Sequence, residues 1–126
     1  MKITINDPPR VFEVGFGETI QMEDCAHIEL EPDEQVTFTT EGGAEYDVSR
    51  KSWGFYATPS LNARLAQFGL GAVLIKNRLN RYFLLLVEQG KEALFERYLE
   101  VEGLTVVCWL DHTAALENLE GKLKGG

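Results

Sequence analysis

"SRKSWGFYATPSLNARL" (residues 49–65) is the stretch on which the reading of this chain turns. Three cations, Arg50, Lys51 and Arg64, and three aromatics, Trp53, Phe55 and Tyr56, fall within seventeen residues. The run is either a ligand-binding edge or a β-strand passing into a capped helix. The strand signal comes from "EYDVSRKSWGFYA", rich in residues that suit a pleated surface. Thr58-Pro59 then marks a helix start: a Thr side chain accepts an orphan N–H, and Pro loses nothing at the first helical position. Leu61, Leu65 and Phe68 recur at helical spacing up to Gly69, which can cap the C-terminus.

Downstream, "GAVLIK" reads as a strand, "NRLN" as a tight connection and "RYFLLLVE" as a second strand, ending at Gln89-Gly90. "KEALFERYLEVE" (residues 91–102) places Leu94, Phe95, Tyr98 and Leu99 on one helical face, and Arg97 can pair with Glu100. After Gly103, "LTVVCWL" predicts a central strand, and Asp111 can cap a final helix carrying Leu116, Leu119 and Leu123 before a mobile Gly-Gly end. Upstream, "KITI" stops at Asp7-Pro8-Pro9 and "RVFEV" at Gly15-Phe16-Gly17; "TIQM", "AHIEL" and "QVTFTT" follow as short strands with a period of two. Gly42-Gly43 supplies a turn. The order from residue 44 to 110 is β-α-β-β-α-β, and a ferredoxin-like unit is its economical packing. The expectation is an α+β chain forming a single domain over 1–126. It has a β-rich part over 1–43, the ferredoxin-like unit over 44–110 and a helix with a flexible tail over 111–126.

Length and a hydrophobic content of 44% allow one core without metal or disulfide support. The longest apolar run, "YFLLLV", is far below the ~20 residues of a membrane span. No apolar block follows the first Lys, so no secretory signal is expected. Two cysteines make no disulfide framework, which points to a reducing, cytoplasmic compartment.

The net charge of −8 is unevenly spread. Residues 1–47 hold twelve acids and two bases, Lys2 and Arg10. Residues 48–87 hold no acid and six bases: Arg50, Lys51, Arg64, Lys76, Arg78 and Arg81. Residues 88–126 hold eight acids and four bases. The acidic flanks would repel a phosphate chain or an anionic bilayer, so neither nucleic acid nor membrane is expected as a partner.

Cys25-x-His27 and Cys108-x3-His112 could offer zinc two thiols and two imidazoles, with Asp111 as an oxygen ligand. Neither spacing is a usual hook, and Cys108 sits in an apolar run; no metal or other cofactor is expected. Acids around Cys25 oppose a thiolate, and Ser60 lacks a glycine-flanked elbow, so no nucleophilic triad is assigned. "EPDEQ" and "QMED" read as solvated turns, while "GFGE" and "FGLGAV" fail as phosphate loops. The remaining candidate is the opening stretch. Arg50, Lys51 and Arg64 beside a helix N-terminus would favour an anion, Trp53 and Tyr56 could stack on a ring, and Ser60 and Asn62 could bind hydroxyls. These seven residues form the expected ligand site, suited to an anionic sugar metabolite such as a nucleotide sugar. Core filling by the aromatics and charge balance within the molecule or an oligomer account for the same residues.

"RKSWGFYATPSLNARLAQFGL", "LLVEQGKEALFERYLE" and "VVCWLD" together resemble small uncharacterised bacterial proteins associated with surface-polysaccharide and nucleotide-sugar gene sets. The likeness covers residues 44–112. It implies a cytoplasmic accessory protein in sugar metabolism and assigns no residue a role. Three readings stand. The first is a non-catalytic accessory protein, homo-oligomeric, that binds an anionic sugar metabolite or an acidic protein partner. The second is a small enzyme on a sugar or nucleotide-linked substrate, using Tyr56, Ser60, Asn62, Arg64 or His27; the shortage of a credible acid or base weighs against it. The third is a purely structural protomer that forms oligomers.

Overall fold

Period-two alternation commits the first third of the chain to antiparallel pairing. In the computed structural model, which describes residues 1–125, β1 (Lys2–Val14) and β2 (Ile20–Glu29) form a long two-stranded ribbon around the turn at Gly15–Gly17. Gly126, and with it the end of the expected mobile tail, lies outside the described residues. The Asp7-Pro8-Pro9 breaker does not end β1. Residues 6–9 swing out between Ile5, opposite Ala26, and Arg10, opposite Asp24, so that the ladder resumes after a bulge. Prolines have no N–H to give a ladder and are tolerated at such a bulge. Asn6 fastens it by donating from Nδ2 to the Asp24 carbonyl at 2.8 Å. "TIQM" and "AHIEL", expected as separate strands, are one, because Glu23 and Asp24 pair with Val11 and Arg10 instead of turning.

A three-stranded sheet follows, in the order β3 (Gln35–Thr39), β4 (Glu45–Lys51), β5 (Gly54–Tyr56). The opening stretch is therefore a hairpin, not one strand: it reverses at Ser52-Trp53, and Gly54 takes φ 148°, which a side chain would resist. The helix expected from Thr58-Pro59 is only one turn, α1 (Arg64–Gln67). Residues 57–63 circle in turns, and this carries both Leu61 and Leu65 onto the cluster of Ala44, Leu70 and Ala72. Ser60 Oγ accepts the Arg64 N–H at 2.9 Å.

The second sheet runs β7 (Tyr82–Glu88), β6 (Leu70–Lys76), β8 (Thr105–Trp109), wholly antiparallel. The chain is thus α+β with mostly antiparallel strands and a C-terminal helix. A ferredoxin-like unit would place β4 in the same sheet as β6, β7 and β8; β4 pairs with β3 and β5. β8, expected to be central, is an edge, and the central strand is β6, whose small Gly71 and Ala72 admit cover on both faces. On one face Leu70 and Ala72 meet Leu65, Ala44 and Leu86. On the other, Val73, Ile75 and Val87 meet Phe95 and Leu99 of α2 (Glu92–Glu102), with Leu104, Val106 and Trp109 alongside. Phe95 and Trp109 pack edge to face at 5.9 Å. α3 (Thr113–Gly125) has no buried residue, and Leu123 is 75% exposed.

Candidate functional site

Five of the seven expected ligand residues divide between the two faces of the β3–β4–β5 sheet, while Trp53 lies in its turn and Asn62 points elsewhere. Side chains alternate along β4, so Asp47, Ser49 and Lys51 share one face while Tyr46, Val48 and Arg50 take the other. Tyr56 lies opposite Ser49 on the first face, where it joins Ser60 and Arg64 around a cavity of about 230 Å³, completed by Gln35, Asp47, Thr58 and Pro59. Arg64 ends in an ion pair with the buried Asp47 at 2.7 Å, and Asp47 also accepts from the Thr37 hydroxyl at 2.7 Å. Lys51 is paired with Asp33, and that hydrogen bond, with the Asp33 charge, raises its pKa above the ordinary lysine value. On the second face Arg50 donates to the Leu30 carbonyl at 2.7 Å. Trp53 stands in the turn, 68% exposed, with its ring edge-on to Tyr56 at 5.6 Å. Asn62 turns away and donates to Thr113 Oγ1 at 3.0 Å.

The other three bases of the acid-free block are remote from these. Lys76, Arg78 and Arg81 cluster at the β6–β7 turn, about 20 Å of strand from the Leu70 end where α1 packs. Arg78 lies over Gly103, its guanidinium filling the space a Cβ would need. Lys51 and Arg64 therefore meet carboxylates, Arg50 a carbonyl and Arg78 backbone of the same molecule, and a one-turn helix offers no sustained dipole to reinforce them.

Two further features carry little sequence signal. A cavity of about 420 Å³ is floored by Leu70, Gly71, Val87 and Trp109 and rimmed by Gln89, Glu92, Asp111 and His112. Asp111, expected to cap α3, has Oδ1 buried without a hydrogen-bond partner, with His112 Nε2 3.6 Å away. The second is Glu102, the last residue of α2 and only 4% exposed. An acid at a helix C-terminus opposes the dipole. Here its Oε2 accepts the N–H groups of Phe16 (2.9 Å) and Gly17 (2.5 Å), clamping the ribbon tip onto α2. Gly17 lies against the Val101 carbonyl, where a Cβ would collide. Arg97, expected to pair with Glu100, reaches the same tip through Glu18 at 3.3 Å. The misplaced acid before Gly103 is the one signal that could have identified this clamp.

Cys25 and His27 share the ribbon's polar face, and among the described residues no three His, Cys, Asp or Glu side chains gather for a metal ion. No helix among the described residues is long and apolar enough to cross a membrane. No protein-family model, curated protein or solved structure matches the chain.

Proposed function

We propose that this is a non-catalytic accessory protein that works as an assembly of its own copies. The observation that supports it is the area left in contact with water. The chain exposes 9024 Å², whereas a compact monomer of its mass, 14.2 kDa, exposes about 6,800 Å². Among the described residues the fully covered apolar side chains are few, with Leu65, Ile75 and Val73 the largest, so much of the apolar surface awaits cover. Two of the six central cations, Lys51 and Arg64, are already paired with carboxylates, and the six are split between distant ends of the fold, which favours this reading over capture of an anion by the basic block. Sedimentation equilibrium at low and high salt tests it: an oligomer is expected, held at high salt because apolar contact is not screened. A monomer at both salt concentrations refutes it.

A second reading keeps a small ligand at the Tyr56–Ser60–Arg64 cavity. Three of the expected residues meet there, with Ser49 and Gln35 adding polar groups nearby. Because Asp47 offsets the Arg64 charge, a neutral hydroxylated ring suits this cavity better than a phosphate. Thermal-shift measurements with free sugars beside nucleotide sugars separate the two chemistries. A place in polysaccharide or nucleotide-sugar metabolism would follow only from binding of that kind.

A further inference from the structure

The ribbon has two unlike faces. Residues directly opposite each other in an antiparallel pair project to the same side. The register therefore places Ile3, Ile5, Ala26 and Ile28 together near the base, and Phe12, Val14, Ile20 and Met22 together near the tip. Both quartets lie on one face. Between them sits a single charged pair, Arg10 and Asp24, at 3.3 Å, with the guanidinium 5.1 Å above the Phe12 ring. The opposite face carries Lys2, Thr4, Glu13, Gln21, Glu23, Cys25, His27 and Glu29, with Val11 its one large apolar side chain.

The apolar face is uncovered. Its large side chains range from 38% exposed at Ile28 to 68% at Ile5. It adjoins Leu94 and Tyr98 of α2 at the tip and Phe55 of β5 at the base, all exposed. A two-stranded ribbon is marginal by itself in water.

We infer that this face is covered by the same face of a second copy, ribbon stacked on ribbon about a twofold axis passing beside Arg10 and Asp24. This rests on the assembly reading above and names the surface and the geometry. Three observations select a second copy over a different protein. The pattern is apolar quartet, ion pair, apolar quartet. A twofold running lengthwise between the ribbons lays base quartet on base quartet and tip quartet on tip quartet, and, because it sets β1 of one chain over β2 of the other, it brings Arg10 of one chain to face Asp24 of the other. Such an interface is isologous and self-complementary, and it closes at two chains. The area also fits. The chain's surplus is about 2,200 Å², and obligate homodimers bury about 1,000–2,500 Å² per chain. Finally, a chain of net charge −8 disfavours its own copies everywhere except where charge is locally balanced. The apolar face is balanced, with one cation and one anion.

The test uses the full chain in four arms, with mass read by sedimentation and folding by circular dichroism. Wild type is expected at twice the 14.2 kDa chain mass. Met22→Glu and, separately, Ile5→Glu are expected to be folded monomers, their dimer dissociation constants raised at least a hundredfold. Arg10→Glu and Asp24→Lys alone are each expected to dissociate, since like charges then meet across the axis. Mixed together they are expected to restore a heterodimer, which a purely intrachain role for the pair would not do. In a background lacking Cys25 and Cys108, Ile5→Cys is expected to cross-link to Ala26→Cys of another chain more readily than to itself. A monomeric wild type removes the assembly reading and this inference together. An oligomer indifferent to Met22→Glu and Ile5→Glu, or a charge mixture that stays apart, overturns the inference and leaves the assembly reading in place. Wild-type mass above a dimer that Met22→Glu reduces only to a dimer also overturns it.

Discussion

Glu34 sits where the N-terminus, the 31–34 turn and β4 meet. Its carboxylate accepts the Glu31 N–H at 2.7 Å, and the Met1 ammonium is 3.1 Å away. The backbone hydrogen bond first, and then the bond to the ammonium, hold its pKa below the ordinary glutamate value. A depressed carboxylate stabilises the fold above its unfolded pKa, about pH 4.3, and that contribution is lost as pH falls through the lower folded value. Wild type is therefore expected to exceed Glu34→Gln in urea resistance at pH 7. The gap should narrow as pH falls below the unfolded value and on through the depressed folded one. Urea midpoints across that range check this, and a gap that persists at low pH contradicts it. Paired charges such as Arg64–Asp47 and Lys51–Asp33 belong to the same scale. In sequence each basic residue could be counted, but its partner lay 17 or 18 positions away across a sheet. The segregation of charge was legible and the pairing of these two cations was not.

Elements with strong local signals emerged close to where the sequence placed them: β6, β7, α2, and the turn at Gly15–Gly17. Those that went otherwise were decided by pairing. Pro8 and Pro9 interrupt a strand only if the ladder needs their N–H groups, and the bulge removes that need. Thr58-Pro59 is a valid helix start, yet the demand that Leu61 and Leu65 reach one cluster shortened the helix to a turn. Of the expected site, Tyr56, Ser60 and Arg64 were brought together because they are linked by a short loop; Arg50 parted from Lys51 because neighbours on a strand face opposite ways. The ribbon tip depends on a contact 85 residues distant, from Glu102 to Gly17, that no local pattern announces. Glu102→Ala is expected to cost about 2–3 kcal/mol, because two N–H groups lose their acceptor. Glu102→Gln, which keeps a carbonyl oxygen, should cost distinctly less. Hydrogen exchange locates the effect: amides of Phe16 and Gly17 should lose protection in the Ala variant while those of β6 keep theirs. Equal loss throughout would mean that the clamp is not local.

At the scale of the whole molecule the two sheets and the ribbon share little interior. Leu65, Val73 and Ile75 are buried almost completely, but each belongs to a small cluster on one face of β6 or the other. Such a chain gains what it lacks by association, and its unfolding is then coupled to dissociation. The melting temperature is expected to rise with protein concentration, by several degrees over a hundredfold range, and to lose that dependence in Met22→Glu. Calorimetry at several concentrations checks both. A melting temperature independent of concentration in the wild type would place all of its stability within the single chain.

The bulge at Asn6–Pro9 has a bearing on what the protein avoids. Long strands with unsatisfied rims template further strands, and a ribbon of two such strands is a seed for fibrils. Two residues without amide hydrogens, thrown out of line halfway along β1, deny an incoming strand an unbroken row of donors. Adhesion can then proceed through the flat side without propagating along the rim. Replacing Pro8 and Pro9 with threonine should leave pairing of copies intact while opening a route to thioflavin-positive aggregates, with a lag that shortens as concentration rises.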